Sequence, residues 1–254
     1  MEMDQEGLKS VAGTLHTPEV HEDSGCFHLV DKPVDWTSFD VVAKIRNTYK
    51  LIGQKRKVGH CGTLDPKASG LLILATGRKT KEIASLELLD KVYEGSFKLG
   101  VVTDSHDRET PEYNQCATGH LEREQIIEAA ASFVGTRQQQ PPMYSAAWHN
   151  GKRLYELARK GDVVHDRKAK EIIIRRFEIT AVELPLVRFI LEVSKGAYIR
   201  VIAHELGALL GVGAYLASLK RVAIGPYELG SACSVPETIE AILKKRESVL
   251  FIEK

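Results

Sequence analysis

Residues 59–66 read Gly-His-Cys-Gly-Thr-Leu-Asp-Pro, and residues 68–72 continue as Ala-Ser-Gly-Leu-Leu. Asp65 is the only acidic residue between positions 44 and 81, among ten lysines and arginines. Glycines allow a tight turn or a close approach to a ligand, and the following proline drives Asp65 out of the α region. The apolar run at 71–76 is typical of a strand buried on both faces. We therefore predict a turn that presents one carboxylate beside a buried strand.

Two interpretations of Asp65 follow from its surroundings alone. A carboxylate held among cations stays ionised and can act as a nucleophile or a base. The alternative is a turn aspartate whose side chain caps the backbone. A glycosidase-type pair of acids is disfavoured, because no second carboxylate lies nearby in the sequence.

The overall charge is misleading. The 254 residues carry a net charge of +1 and are 43% hydrophobic, which indicates a globular protein and argues against a uniformly basic nucleic-acid binder. The charge is segregated, however: residues 82–136 contain eleven acids and four bases, whereas 137–176 contain ten bases and four acids. Together with 44–81, the second basic segment can form a track for phosphates.

Other features narrow the setting. No apolar run is long enough to cross a bilayer, and the first 20 residues resemble neither a secretory signal nor an organellar transit peptide. Residues 1–25 are acidic and aperiodic and are predicted to be a flexible tail. The four cysteines are widely separated, so we predict free thiols in a reducing cytoplasm, without a zinc site or disulfides. They are Cys26, Cys61, Cys116 and Cys233.

Strands and helices alternate without a strict β-α-β order, which predicts the α+β class. Strands are expected at 26–31, 71–76, 91–102, 171–180, 186–193 and 222–229. Helices are expected from a cap at Thr37 or Ser38, and at 121–134, 151–161, 197–210 and 236–245.

The stretch 59–72 resembles the signature of TruB-type tRNA pseudouridine synthases. Five further blocks are similar to the family's other motifs and occur in the same order. They are Leu29-Val-Asp-Lys-Pro33 with Thr37-Ser38, Lys91-Val-Tyr93 with Leu99-Gly100, Gln140-Pro-Pro-Met-Tyr144-Ser145-Ala146 with Gly151 and Leu154-Tyr155, Val193-Ser-Lys-Gly-Ala-Tyr-Ile-Arg200 with Leu206-Gly207, and Leu219-Lys-Arg221 with Gly225-Pro226. The resemblance spans 26–230.

This resemblance implies a pseudouridine-synthase fold: a mixed, largely antiparallel sheet flanked by helices. Residues 26–230 are then the catalytic domain, with a basic insertion at about 136–176 that grips RNA. Residues 231–254 are expected to be a short helical extension without the C-terminal RNA-binding (PUA) domain of many relatives. The family usually has glycine where this chain has Asp35, and aspartate tolerates the left-handed turn better than most residues.

The implied reaction isomerises the TΨC-loop uridine at position 55 of tRNA to pseudouridine. The uridine is flipped out, the bond from C1′ to N1 breaks, and C1′ is joined to C5. The family uses no metal or organic cofactor. Its catalytic aspartate corresponds to Asp65, which adds covalently to the substrate or removes the sugar 2′ proton to give a glycal; the sequence leaves both routes open.

The resemblance also assigns roles within the active site. Tyr93 would stack on the flipped uracil and assist proton removal at C5, and Arg200 would pair with Asp65. Tyr198 and Leu219 would line the base pocket. On composition alone, Tyr93, Tyr198 and Leu219 are ordinary core residues and Arg200 is a surface residue.

The remaining assignments concern RNA. His60 would fill the space that the base vacates or contact RNA, and Lys32 would meet a phosphate or buttress the active-site loop. The insertion would grip the TΨC arm through Arg153, Arg159 and Lys160.

Two competing functions remain on this evidence. One is an enzyme of the guide-RNA-dependent branch of the superfamily. The expected lack of the C-terminal domain, which holds the guide RNA in that branch, argues against it. The other is a non-catalytic RNA-binding protein. The presence of Asp65, Tyr93 and Arg200 argues against this function. We expect a monomeric cytoplasmic enzyme that acts on tRNA without a protein partner or a membrane.

Overall fold

A computed structural model describes residues 25–250, with side chains described as far as Lys244. The predicted tail at 1–25 therefore lies outside the described residues, apart from Gly25. The strands are β1 (Phe27–Lys32), β2 (Val58–His60), β3 (Ser69–Thr76), β4 (Lys91–Leu99), β5 (Gly135–Gln139), β6 (Trp148–His149), β7 (Lys152–Arg153), β8 (Lys170–Glu183), β9 (Leu186–Val193), β10 (Ala214–Ile224), β11 (Tyr227–Glu228) and β12 (Cys233–Ser234). The α-helices are α1 (Ser38–Leu51), α2 (Ile83–Glu87), α3 (Arg123–Ala131), α4 (Leu154–Ala158), α5 (Ile199–Leu209) and α6 (Val235–Leu250).

One large sheet organises the described part of the chain. Its strand order is β12-β1-β3-β10-β4-β9-β8-β5, with β2 attached to β3 and β11 attached to β10. Only the β1–β12 and β3–β10 pairs are parallel within these residues. The small β6–β7 hairpin is separate. The prediction of an α+β fold with a mixed, largely antiparallel sheet and flanking helices is confirmed.

Two hydrophobic layers hold the helices against the sheet. The larger core joins α3 and α5 to β4, β8, β9 and β10. A second core joins α1 and α6 to β1 and β3. Strand β3 is buried on both faces, as predicted: Leu72 and Leu74 belong to this second core, whereas Leu71 and Ile73 belong to a third, smaller cluster.

Helix α1 begins where the sequence indicates. Thr37 is its N-cap, and a capping box joins the Thr37 side chain to the backbone N–H of Asp40 and the Asp40 carboxylate to the backbone N–H of Thr37. Val41, Val42 and Ile45 form the buried face. This packing places the first turn of α1 beside the Asp65 loop.

Two strands differ from the prediction. The strand predicted at 222–229 is partly confirmed: its first residues end β10, which begins earlier, at Ala214, and Tyr227–Glu228 form the separate β11. Register shifts along the β10–β4 pair interrupt the alternation that would reveal β10. Strand β5 was not predicted, because it is a polar edge strand with one paired neighbour.

The predicted insertion at 136–176 begins and ends within the large sheet, in β5 and β8. The part outside the sheet is 140–169, which contains the β6–β7 hairpin and α4. Among the described residues, no helix combines the length and apolar character needed to span a membrane.

Candidate active site

Asp65 lies in a loop that joins β2 to β3. Gly62 and Gly70 adopt the left-handed region, with φ of +86° and +104°. A Cβ on Gly70 would lie 2.3 Å from the carbonyl oxygen of Arg221, because β3 and β10 meet closely there. Glycine at position 70 is therefore needed for the loop to enter the sheet.

The first turn of α1 fixes one side of this loop. The backbone N–H of Leu64 donates to Ser38 Oγ at 2.8 Å, and that hydroxyl donates to the Leu64 carbonyl at 3.1 Å. Asp35 has φ of 67°, so the expected left-handed turn is confirmed at this position. Its backbone N–H donates to Pro66 at 2.8 Å, and its carboxylate accepts from Lys67 Nζ at 2.7 Å.

Arg200 reaches Asp65 from the start of α5. Its Nε lies 2.8 Å from Asp65 Oδ2, and its Nη2 donates to Asp65 Oδ1 at 3.3 Å. Nη1 donates to the carbonyls of Ser105 and Tyr144 at 3.1 and 3.0 Å. The Arg200 side chain is 4% exposed and that of Asp65 is 37% exposed. A buried guanidinium thus orients a carboxylate that solvent, and hence a substrate, can reach.

The fold supplies a second carboxylate, which the sequence did not indicate. Asp107 is buried, and its Oδ1 accepts hydrogen bonds from Ser105 Oγ at 2.6 Å and from the Glu109 backbone at 2.9 Å. Its Oδ2 lies 3.6 Å from Arg200 Nε. No local motif marks Asp107, because it lies in a polar loop far from Asp65 in the chain.

Two stacked imidazoles adjoin this network. The ring centroids of His106 and His204 are 4.0 Å apart, and the ring planes differ by 3°. Burial, together with His204 and Arg200, lowers the pKa of His106 to about 3, and burial lowers the pKa of His204. Both rings are therefore neutral at pH 7, and the positive charge beside Asp107 belongs to Arg200.

Arg221 and Lys32 are buried cations beneath the loop. Arg221 is 1% exposed and donates to the carbonyls of Leu71 at 2.8 Å, Gly62 at 3.1 Å and Thr63 at 3.5 Å. The sequence pattern placed Arg221 in a family block but did not identify this positioning role.

Lys32 is a buried cation in this structure. It is 0% exposed, and its Nζ donates to the carbonyls of Pro33 and Trp36 at 2.9 and 2.6 Å. Burial lowers its pKa to about 8, although Asp65 opposes this shift. The burial and the two backbone contacts agree with the buttressing role of Lys32, and its alternative role, a contact with an RNA phosphate, stays a prediction.

A small cleft opens at Asp65. Its volume is about 10 Å³, and its walls include Asp65, Asp107, Arg108, Leu216 and Leu219. Such a space holds about one water molecule, so a larger ligand enters only after side chains move. Leu219 lies in the wall of this cleft, and its assignment to the wall of a base pocket stays a prediction.

Tyr93 and Tyr198, the two tyrosines of the predicted site, lie outside the walls of this cleft. Tyr93 is 8% exposed within the larger core, and its register partner on β10 is Arg221. Tyr198 precedes α5 and is fixed by Gln139: the Tyr198 backbone N–H donates to Oε1 at 2.8 Å, and Nε2 donates to the Tyr198 carbonyl at 3.2 Å. Burial raises the pKa of Tyr198. Neither tyrosine belongs to the cleft walls around Asp65.

His60 is the last residue of β2, at the start of the Asp65 loop. Its Nδ1 is buried without a hydrogen-bond partner, and burial together with Arg221 lowers its pKa. It does not belong to the cleft walls.

The predicted RNA-gripping residues lie in the insertion, in β7 and just after α4. The Arg153 guanidinium lies 4.0 Å from the Trp148 ring and donates to the Ala146 carbonyl, so it organises the β6–β7 hairpin. Arg159 is 66% exposed and forms a 3.5 Å ion pair with Glu109. Lys160 is exposed.

No group of three or more His, Cys, Asp or Glu side chains in the described residues is arranged to hold a metal ion. The four cysteines are free thiols.

Comparison with known proteins adds independent evidence. A family model described as "TruB family pseudouridylate synthase (N terminal domain)" matches residues 50–199. The chain is 67% identical over 214 residues to tRNA pseudouridine synthase B of Chlorobium chlorochromatii, with 84% of each chain covered. It is 65% identical over 225 residues to the protein of that name in Chlorobaculum tepidum, with 89% of this chain and 94% of that one covered.

The solved structure of a Cbf5-Nop10-Gar1 complex contains a chain of similar fold, with a TM-score of 0.65 and 27% identity. The match covers 86% of this chain but spans only 54% of that one.

Proposed function

Because the chain belongs to the TruB family of pseudouridylate synthases, we propose that it isomerises a uridine of tRNA to pseudouridine. The proposed target is the TΨC-loop uridine at position 55. The relatives that share 65–67% of their residues with this chain carry the name tRNA pseudouridine synthase B. The observation that supports the chemistry best is the exposed Asp65 carboxylate held by the buried Arg200 guanidinium.

Asp65 serves as the catalytic carboxylate. It either adds to the sugar or base as a nucleophile or removes the 2′ proton, and both routes need an ionised group held against the nucleotide. The two contacts from Arg200 satisfy that need. Whenever Asp65 becomes an ester or an acid, the buried Asp107 still balances the charge of Arg200.

The target base reaches Asp65 by flipping out of the loop, at a cost of a few kcal/mol. Leu219 forms an apolar wall for the base, and Tyr198 completes the pocket. Tyr93 stacks on the uracil and assists loss of the C5 proton. Because Tyr93 is buried, the incoming base must first displace the side chains that cover the tyrosine ring. His60 contacts RNA or occupies the space that the base leaves.

The basic insertion supplies additional grip on the TΨC arm. Arg159 and Lys160 are exposed and can reach phosphates, whereas Arg153 shapes the hairpin that presents them. Exchange of the Arg159–Glu109 ion pair for a phosphate contact would couple RNA binding to the loop that carries Asp107. The enzyme acts as a monomer, without metal, organic cofactor or protein partner. We place it in the cytoplasm, where its four free thiols stay reduced.

The test uses purified full-length protein and an unmodified tRNA transcript, without guide RNA or other proteins. We expect pseudouridine at position 55 and none in a matched transcript with cytidine there. A transcript that stays unmodified, or modification at a different position only, would contradict the proposal.

A guide-RNA-dependent enzyme is the second candidate. It is favoured by the similar chain in a Cbf5-Nop10-Gar1 complex, at 27% identity. The identity of 67% to tRNA pseudouridine synthase B favours the first candidate. Product formed only after addition of a guide RNA and partner proteins would support the second.

A further inference from the structure

The stacked rings of His106 and His204 join α5 to the Asp107 loop, which comprises residues 103–107. Arg200, near the start of α5, donates to the Ser105 carbonyl at 3.1 Å, and its Nε lies 3.6 Å from Asp107 Oδ2. His204 follows four residues later in α5, and residues at this spacing share one face of a helix. The helix therefore contacts the same loop at two successive turns, first through a guanidinium and then through an imidazole.

The backbone of the Asp107 loop is fixed on both sides of His106. His106 has φ of 60°, a left-handed conformation that a residue other than glycine keeps only where its surroundings determine it. Its N–H donates to the Thr103 carbonyl at 3.2 Å, and its carbonyl accepts from the Leu216 N–H at 2.9 Å. The Thr103 hydroxyl donates to the Asp107 carbonyl at 2.6 Å. The His106 ring is thus anchored to the same short segment as the Asp107 carboxylate.

Contact between ring faces holds the two histidines together. The ring centroids are 4.0 Å apart and the planes differ by 3°. Both Nδ1 atoms are buried, and neither has a hydrogen-bond partner among the described residues. Burial lowers the pKa of both imidazoles, so the uncharged rings lie face to face without repulsion at pH 7. Neither histidine belongs to the walls of the Asp65 cleft, so the stack reaches the reacting atoms only through other groups.

Arg200 is the group through which the stack reaches Asp65. Its Nε lies between two carboxylates, 2.8 Å from Asp65 and 3.6 Å from Asp107. This arrangement depends on the spacing between α5 and the Asp107 loop, since the two carboxylates belong to different loops. A misplacement of about 1 Å at a reacting group can lower a rate by about 10².

We propose that His106 and His204 are positioning residues for the isomerisation: their stack sets the spacing between α5 and the Asp107 loop and thereby holds the Arg200 guanidinium against Asp65. This inference rests on the proposed function and extends it to a pair of side chains outside the cleft.

The test measures the single-turnover rate at saturating enzyme and the dissociation constant for an unmodified tRNA transcript. His204→Leu keeps an apolar side chain but removes the ring, and should lower the rate about tenfold. His106→Asn tolerates the left-handed backbone and should lower the rate by a similar factor. His204→Phe restores a ring and should stay within about twofold of wild type. All three variants should bind the transcript within about twofold of wild type, since the stack lies outside the cleft.

Two further variants separate positioning from a general loss of stability. Arg200→Gln removes the group through which the stack acts, so His204→Leu added to it should cause no further loss of rate. Ile202→Val is the matched control, because it removes a buried methyl group from the same helix. Position 202 does not share a face with position 204, so the rate of this variant should stay within about twofold of wild type.

Wild-type rates in both His204→Leu and His106→Asn would overturn the proposal. So would a loss in His204→Phe or Ile202→Val as large as that in His204→Leu, or a further tenfold loss when His204→Leu is added to Arg200→Gln. Thermal melting of each variant above the assay temperature ensures that the rates belong to folded protein. A wild type that forms no pseudouridine would refute the proposed function, whereas an active wild type with unaffected variants would refute only the role of the stack.

Discussion

The Asp65 loop, 61–68, and the insertion, 140–169, are both irregular segments beside the candidate active site, but they are held differently. Buried groups fix the Asp65 loop: Arg221 binds its carbonyls, and Ser38 binds both polar groups of the Leu64 backbone. The insertion touches the body through the exposed Arg159–Glu109 ion pair and through the Tyr144 carbonyl on Arg200.

Energetics give this difference a function. A hydrogen bond to a buried charged group contributes about 1.5–3 kcal/mol, whereas an exposed ion pair contributes about 0.2–1 kcal/mol. The loop therefore holds Asp65 at a fixed position for chemistry. The insertion can exchange its exposed Arg159–Glu109 ion pair for an RNA phosphate at little cost. The bond from buried Arg200 to the Tyr144 carbonyl belongs to the stronger kind and holds the start of the insertion in place.

The largest effect should come from Arg200→Gln, which removes the guanidinium that orients Asp65. We expect the single-turnover rate at saturating enzyme to fall about 10²–10³-fold, the range for loss of one preorganised charged contact. Arg159→Gln is the matched control, because it removes an arginine from the insertion and should leave this rate within about twofold. Equal reductions of the single-turnover rate in the two variants would contradict the claim that the loop, and not the insertion, determines the chemistry.

Arg221→Met should destabilise the Asp65 loop, because it removes the side chain that binds the carbonyls beneath it. Loss of a buried charged donor leaves three carbonyls with fewer partners, so we expect the free energy of unfolding to fall by about 3 kcal/mol. Urea denaturation measures this change. Arg153→Met in the insertion hairpin should cost less than about 1 kcal/mol, and a cost as large as that of Arg221→Met would contradict the comparison.

Charge removal in the insertion should change binding without changing chemistry. Arg159→Gln with Lys160→Gln should reduce the salt slope of tRNA binding by about 2, with an unchanged rate at saturating enzyme. Arg153→Gln should reduce it less, because this guanidinium is already stacked on Trp148. An unchanged slope in the double variant would remove the insertion from the RNA-binding surface.

The smallest effect concerns pH. The pKa of Lys32 is lowered to about 8 in the folded protein, while the unfolded chain keeps its proton up to about pH 10.4. Between these values the unfolded state binds more protons, so this group makes the protein more stable as pH rises. Wild type should gain stability relative to Lys32→Met between pH 8 and 10 in urea titrations. If the stability of wild type relative to Lys32→Met stays constant or falls as pH rises, the folded protein does not lower the pKa of Lys32 by burying it.

The sequence predicted elements whose signals are local. The Thr37 cap, the doubly buried β3 and the β8–β9 pair follow from capping residues and apolar periodicity. Asp65 stood out because it is a single acid among cations.

Features that depend on distant pairing could not be predicted in this way. Register shifts conceal β10, and polar residues conceal the edge strand β5. Asp107 joins Asp65 only through Arg200, and Arg221 reaches the loop only because β10 lies beside β3. The family motifs included Arg221 but did not explain it.

The central claim is that the carboxylate of Asp65, held by Arg200, performs the chemistry. Asp65→Asn tests it most directly, because it keeps the shape of the side chain and removes its charge. Full-length wild type and variant are incubated with the same unmodified tRNA transcript, and both pseudouridine at position 55 and the dissociation constant are measured. We predict that the variant forms no detectable product and binds the transcript within about threefold of wild type. Pseudouridine formation by Asp65→Asn at a rate near that of wild type would contradict the account.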